Sequence, residues 1–238
     1  MSDLPQSYRH WHASRLGRVT ERLEQALVVE LCGSLPGRRV LDAGCGDGML
    51  TLKLARSGAR VTGLDTDPRM LAAARDRLGA ANAEAQLLRG DVQALPFEAD
   101  TFDLVVAITV LCLVPDPSLA VHEMVRVLKP GGRLVIGELG RHSLWAAMRR
   151  VRGWLGSATW SAAHFWSRAE LRRLVEASGL KVGAMRGAIF YPPVGWFASL
   201  AASVDPWLGR RATFGAAFIA LAAVRPPLGD ETPGLCKS

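Results

Sequence analysis

Three glycines at alternate positions, Gly44, Gly46 and Gly48, close the run Val40-Leu41-Asp42-Ala43-Gly44-Cys45-Gly46-Asp47-Gly48. Glycine lets a backbone turn tightly and come close to a bound nucleotide. Asp65 stands about twenty residues further on, where an acid at a strand end accepts hydrogen bonds from both ribose hydroxyls. Gly90-Asp91-Val92 offers a second acid, able to accept from an adenine amino group while the next backbone N–H donates to a ring nitrogen. The chemistry these residues suit is the capture of an adenosine-bearing ligand. The alternatives are an Asp91 that turns back onto its own backbone and an Asp65 that caps the helix opened by Pro68. A dinucleotide fingerprint needs Gly or Ala at its sixth position, which is Met49 here, and no Gly-Lys-Ser/Thr completes a phosphate-binding P-loop.

The elements that must position these residues alternate between short apolar runs and helical periodicity, the pattern of βαβ units and a parallel sheet. Strands are predicted at Arg39 to Ala43, Arg60 to Leu64, Leu87 to Arg89, Phe102 to Ile108 and Arg133 to Ile136. Helices are predicted at Met49 to Ser57, Pro68 to Leu78 and Leu119 to Leu128. Both acids and the glycine loop then fall at carboxyl ends of strands, on the edge where open α/β folds bind ligands. Beyond residue 140, Leu144 to Trp160 carries Trp and Arg, and Ser167 with Glu170 forms a capping box for a helix through Ala177. Lys181 to Met185 and Thr213 to Val224 read as closing strands around an apolar insertion, Ile189 to Leu208.

In these residues and their order the chain resembles the class I S-adenosylmethionine-dependent methyltransferases, in the branch of the ubiquinone and menaquinone C-methyltransferases. The resemblance rests on Val40 to Gly48, Val61 to Asp65, Gly90 to Phe97, Phe102 to Val106, Val110 to Asp116 and Arg126 to Gly132, with Trp166 to Leu180 similar to the family's next helix. It implies a single Rossmann-like α/β domain: a doubly wound, seven-stranded, mostly parallel sheet with an antiparallel last strand. The divisions expected are cap helices at 1–38, a cofactor core at 39–140, a substrate-covering segment with the closing strands at 141–224, and a flexible tail at 225–238. S-adenosylmethionine is the implied cofactor and S-adenosylhomocysteine its product. The resemblance sets Gly44, Cys45 and Gly46 against the methionine portion, with Asp42 ordering the loop. It gives Asp65 the ribose, Thr66 and Met70 the flanks of the adenosine, Asp91 and Val92 the adenine, and Ala107 or Ile108, just past the fourth strand, the sulfonium. Tyr8, Trp11 and Arg18 resemble a leading helix that closes over the cofactor.

Many relatives carry a His where this chain has Cys112 and Leu113. Methyl transfer is an in-line displacement at an activated carbon, so alignment supplies most of the acceleration, and a base is needed only for a poorly acidic acceptor. No catalytic residue is assigned; the candidates are His142 and Glu138 after the fifth strand, and Tyr191 as a lining residue of the acceptor pocket. His10, His12 and His164 are further candidates, His164 being equally suited to packing among aromatics, while His122, Asp103 and Glu123 read as structural. All seven Trp lie outside residues 39 to 137, which suits either an apolar acceptor cleft or plain packing bulk on the sheet. Arg149, Arg150 and Arg152, set among Leu144, Trp145, Met148, Trp154 and Leu155, could form a lid that touches a membrane surface or a solvated face on an ordinary helix.

Length and composition agree with one domain: 238 residues, 49% of them hydrophobic and 21% charged, supply enough apolar material to offset ordering entropy. All but four of the 29 basic residues are Arg and they run the length of the chain, so the net charge of +7 marks no basic stripe. No nucleic-acid partner is expected. Four separated Cys without a CxxC, an N-terminus without an apolar signal region and the absence of a spanning segment point to reduced cytoplasmic thiols and no metal. The expected function is methyl transfer to a small, fairly hydrophobic acceptor; the alternative is a cofactor-binding scaffold without transfer activity.

Overall fold

The computed structural model describes residues 10–227. After a helical turn at residues 10–13, helix α1 (Arg15–Cys32) leads into β1 (Arg39–Ala43), α2 (Met49–Arg56), β2 (Arg60–Asp65), α3 (Pro68–Ala80), β3 (Gln86–Arg89), β4 (Phe102–Ile108), α4 (Pro117–Val127) and β5 (Leu128–Leu139). Then come α5 (Leu144–Trp154), α6 (Ala158–Ala162), α7 (Arg168–Ala177), β6 (Lys181–Ala188), α8 (Gly195–Ala201), α9 (Asp205–Gly209) and β7 (Phe218–Val224). The seven strands form one sheet in the order β3-β2-β1-β4-β5-β7-β6. β1 to β5 run parallel, while β7 is antiparallel to both its neighbours.

Strand side chains alternate between the faces, and the two cores divide accordingly. Leu41, Val105, Ile136 and Leu221 pack with α4 and α7 on one face. Val40, Leu104, Val135 and Ala220 pack with Leu27, Val28 and Leu31 of α1 on the other. Both faces of β4 are therefore covered, which is why its sequence is apolar from Leu104 to Ile108.

The helix starts are written locally. Asp67 and Asp116 accept backbone N–H groups at the starts of α3 and α4, each with a Pro in the first turn. Ser167 and Glu170 form the expected capping box. Several boundaries differ from the sequence reading, β5 starting at Leu128 and β6 reaching Ala188 among them, and others have a visible local cause. α4 begins at Pro117 because Asp116 caps it, two residues before the predicted start. β5 extends to Leu139 because β7 pairs with it along its length. The 144–160 segment is two helices, broken where Gly156 turns with φ 99°. The final strand starts at Phe218 rather than Thr213, because Gly215 adopts φ 85° and its N–H bonds the His142 carbonyl at 2.9 Å.

Candidate functional site

The carboxyl ends of β1 to β5 form one edge, and the glycine loop lies across it. Gly44, Gly46 and Gly48 have φ of 79°, 55° and 77°, the left-handed region that favours glycine. The Gly44 and Cys45 N–H groups donate to the Leu64 carbonyl at 2.7 and 2.9 Å, which ties the loop to the end of β2. Asp65 adds a second tie: Oδ2 accepts from Gly46 N–H and Oδ1 from Asp67 N–H, both at 2.9 Å. Each carboxylate oxygen keeps a further lone pair. Asp42 is buried and accepts from Thr51 Oγ1 at 2.6 Å, joining β1 to the first turn of α2; burial raises its carboxyl to about 6. Met70 is buried, its Cε 3.4 Å from where a Gly46 side chain would begin. Cys45 packs down toward β2 beside Gly63, and burial pushes its thiol far above the ordinary range.

At the end of β3, Asp91 is exposed and its Oδ1 accepts the Gln93 N–H at 2.8 Å, the turn arrangement noted as its alternative role. The Gln93 side chain accepts from Asp116 N–H at 2.9 Å, so this turn is joined to the start of α4. Val92 is buried beneath it. Thr66 is exposed, and Arg89 Nε donates to its carbonyl at 3.2 Å.

β4 runs through Ala107 and Ile108, so neither lies past the strand. The Ala107 side chain is inside the core and Ile108 is partly buried against Gly137; the residues that emerge at the edge are the next ones. Thr109 has φ 54°, strained for a β-branched residue, with its N–H on the Gly137 carbonyl at 2.7 Å. Val110 packs so closely over Gly44 that a Cβ at position 44 would overlap Val110 Cγ2. Glu138 supports this loop from below: Oε1 accepts the N–H groups of Val110 at 3.1 Å and Leu111 at 2.7 Å. It is 0% exposed, and burial raises the carboxyl to about 7 against the hydrogen bonds it accepts from Leu111, Cys112 and Val110. Glu138 is thus a brace beneath the loop, out of reach of a substrate, rather than an acid or base facing one.

Tyr191 also departs from expectation. It is 2% exposed, its hydroxyl is 3.1 Å from Thr20 Oγ1 and its carbonyl accepts Trp145 Nε1 at 2.8 Å. A ring packed between α1 and α5 lines no open pocket. His142 is exposed and stacks on Phe214 with centroids 5.7 Å apart. His164 packs edge-on against Trp166 at 4.5 Å.

The segment leading into α1 folds onto the glycine loop through a contact that spacing did not reveal. His12 Nε2 lies 3.2 Å from Asp47 Oδ2 and its Nδ1 2.5 Å from Glu21 Oε2. Arg77 binds the same Asp47 oxygen at 2.5 Å. The Asp47 and Glu21 hydrogen bonds raise His12 to about 9; burial opposes ionisation of Asp47, yet His12 and Arg77 hold it below the usual carboxylate range. His12 is therefore a cation in an ion-paired clamp at neutral pH, not a general base. Trp11 packs edge-on against Trp145 at 6.1 Å. Arg18 is exposed and donates to the Ala13 carbonyl, so it ties back to the turn before its own helix, which Ser14 caps, rather than closing the edge. Tyr8 lies outside the described residues.

Glu24, which the sequence did not single out, is raised to about 7 by burial, with Arg149 opposing. Arg149 is held between the rings of Trp145 and Trp160 at 5.1 and 4.8 Å, and Arg150 lies 5.1 Å over Phe165. Two of the three lid arginines therefore face the protein. A groove of about 1140 Å³ lies at the opposite edge of the sheet, lined by Arg39, Arg60, Gln86 and Phe102 at strand starts, away from this chemistry. Among the described residues no group of three or more His, Cys, Asp or Glu is placed to hold a metal, and no helix is long and apolar enough to cross a membrane.

Residues 41–136 match the family described as methyltransferase domain. A ubiquinone biosynthesis O-methyltransferase of Idiomarina loihiensis is 36% identical over 174 residues, covering 68% of this chain and 70% of that one. The corresponding protein of Bordetella avium is 35% identical over 171 residues, covering 69% and 71%. Among solved structures, a Thermotoga maritima protein described as an S-adenosylmethionine-dependent methyltransferase, possible histamine N-methyltransferase, superposes with a TM-score of 0.74 at 25% identity. It covers 92% of this chain and 95% of that one. The [4+2]-cyclase SpnF shares the fold, with a TM-score of 0.66 at 22% identity over 85% of this chain and 80% of that one. With the strand order, the glycine loop and relatives matched over more than two thirds of their length, the chain belongs to the class I S-adenosylmethionine-dependent methyltransferases.

Proposed function

We propose that this methyltransferase acts on a small, predominantly hydrophobic acceptor through an oxygen nucleophile, at the edge where the glycine loop meets the loop after β4. The observation that carries the reading is the continuous contact from Asp65 through Gly46 and Gly44 to Val110 and Glu138. It joins the residues suited to an adenosine ligand to the residues that emerge beside the reacting groups. The relatives named O-methyltransferases support oxygen as the acceptor atom.

The residues fit S-adenosylmethionine: a left-handed glycine loop without side chains at Gly44 and Gly46 permits close backbone approach, Asp65 keeps spare lone pairs, and an exposed Asp91 carboxylate stands beside the Val92 N–H. In this reading Gly44, Cys45 and Gly46 border the methionine portion, Asp65 holds the ribose, Asp91 and Val92 meet the adenine, and Thr66 and Met70 flank it. Trp11 belongs to the cover. Bound there, the cofactor supplies a methyl group already activated on a sulfonium. The protein's part is alignment: Thr109, Val110 and Glu138 hold the acceptor-side loop against the cofactor loop, so that the nucleophile, methyl carbon and sulfur lie in line. Asp65, Gly44 and Gly46 would hold the bound group while its methyl passes to the hydroxyl oxygen and S-adenosylhomocysteine is left, and the hydroxyl proton would pass to solvent. Cys112 and Leu113 supply no imidazole, so an acidic hydroxyl such as a phenol is the acceptor best suited. The absence of a basic stripe supports a small molecule over nucleic acid, and buried thiols at Cys32, Cys45 and Cys112 support a reducing, cytoplasmic setting.

Transfer of labelled methyl to apolar phenols, amines and thiols tests the acceptor class. Label on a phenol oxygen is the expected result; transfer confined to an amine or thiol, or none to any acceptor while S-adenosylhomocysteine binds, refutes it.

A further inference from the structure

Helix α5 buries Trp145 and Ala146 but leaves an apolar stripe outside. Leu144, Met148, Val151 and Leu155 recur at the spacing of one helix face, and all four are exposed. Its arginines at 149 and 150 turn inward onto Trp145, Trp160 and Phe165. Within that stripe Leu155 is 81% exposed, and Trp154 beside it 85%. Nothing in the described chain covers them.

The patch does not end with α5. Trp196, at 61%, and Leu200, at 71%, project from α8. α8 and α5 both adjoin the start of α1: Arg15 Nε donates to Ser199 at 2.9 Å, and Trp145 meets both Trp11 and the Tyr191 carbonyl. Phe214, 79% exposed, stacks on His142 just ahead of α5. These side chains therefore border the edge assigned to the acceptor. Single exposed apolar residues are ordinary, but a contiguous group of large ones is not.

Charge identifies the occupant. Residues 141–161 contain no Asp or Glu, and 189–217 contain only Asp205, which is buried on the Ile189 and Phe190 N–H groups. The same segments expose Arg152, Arg210 and Arg211, with Arg211 stacked 4.2 Å over Trp207. Arg210 pairs with Glu30 of α1 at 3.4 Å, but around α5 and α8 exposed Trp and Leu beside Arg152, with no Asp or Glu in residues 141–161 or 194–204, is the composition of an interfacial membrane anchor; a surface adapted to water mixes both signs.

We propose that α5 and α8 dock the protein on an anionic bilayer surface, with the Leu144–Leu155 stripe and Trp196 entering the headgroup region and the acceptor edge facing the lipid. The contact differs from the one the sequence suggested: the apolar stripe inserts, and Arg149 and Arg150 brace the helix from behind. The purpose, access to an apolar acceptor dissolved in lipid, rests on the function proposed above, but the docking itself does not.

The test is co-flotation of the full chain with phosphatidylcholine vesicles, with and without phosphatidylglycerol, beside light scattering without lipid and calorimetry with S-adenosylhomocysteine. The expected result is a monomer that floats with the anionic vesicles, less so in high salt. Val151→Glu with Leu155→Glu should cut partitioning at least about tenfold, and Arg152→Glu about fivefold, with S-adenosylhomocysteine affinity unchanged in both. Quenching by brominated phosphatidylglycerol that diminishes in Trp154→Phe confirms insertion without relying on the charged variants. No flotation overturns the proposal. So does a dimer that Val151→Glu with Leu155→Glu dissociates, which would assign the stripe to a second copy, or flotation that those changes leave intact. Flotation without S-adenosylhomocysteine binding keeps the docking and removes the assigned cofactor site.

Discussion

Replacing Gly44 by Ala tests the join between the two loops most sharply, because its cost has two separable parts. At φ 79° an alanine pays about 1–2 kcal/mol for the left-handed conformation. Its Cβ would also overlap Val110 Cγ2, and forcing a methyl into a packed site costs about 1–3 kcal/mol. The sum, about 3 kcal/mol, corresponds to a fall in Tm of about 6–12 °C for a chain of this size. Val110→Ala alone costs about 1 kcal/mol. In the double variant the clash disappears but the backbone cost stays, so urea unfolding of the four proteins should give a coupling of about 1–2 kcal/mol. S-adenosylhomocysteine affinity should fall in Gly44→Ala and recover in part in the double variant. Additivity within about 0.5 kcal/mol would refute the claim that Val110 sits on the glycine loop.

Glu138, raised to about 7 by burial, binds a proton in the folded state that the unfolded chain has released. Its contribution therefore weakens stability as pH rises from about 4.5 through 7. Glu138→Gln should remove that slope and leave the protein more stable than the parent at pH 8, by up to about 3 kcal/mol. His12 acts with the opposite sign. Its pKa is raised to about 9, so the clamp is complete below about 6.5 and lost as pH passes 9. His12→Gln should lower Tm at pH 7 and change little at pH 10. The thiols of Cys32, Cys45 and Cys112 are buried and raised by that burial; a thiol reagent should modify them only on the timescale of unfolding.

The strand order and the binding edge were legible because glycine and proline punctuate the chain where the sheet demands it. The apolar run Leu104 to Ile108 read as a strand covered on both faces, and Gly44 and Gly46 as the turn that ends a strand. What spacing could not show is where a polar side chain spends its hydrogen bonds. Asp91 makes the turn that its sequence also permitted, and Glu138 turned under Val110 because β5 lies beside β4. His12 and Asp47 meet only because α1 returns across the sheet. Tyr191, just ahead of Pro192 and Pro193, was expected to line the acceptor pocket, yet its hydroxyl found Thr20 in the core. The arginines of α5 looked outward by composition; Trp160, brought back by α6, turned Arg149 inward and left the apolar stripe outside.

The central claim is that the glycine loop and Asp65 form one adenosine-binding site. Calorimetric titration of S-adenosylhomocysteine into the parent protein and into Asp65→Ala measures it most directly. One ligand per chain, weakened at least about tenfold in Asp65→Ala as a charged acceptor of hydrogen bonds is lost, is the result the account predicts. No binding to the parent, or equal affinity in a folded Asp65→Ala, contradicts it.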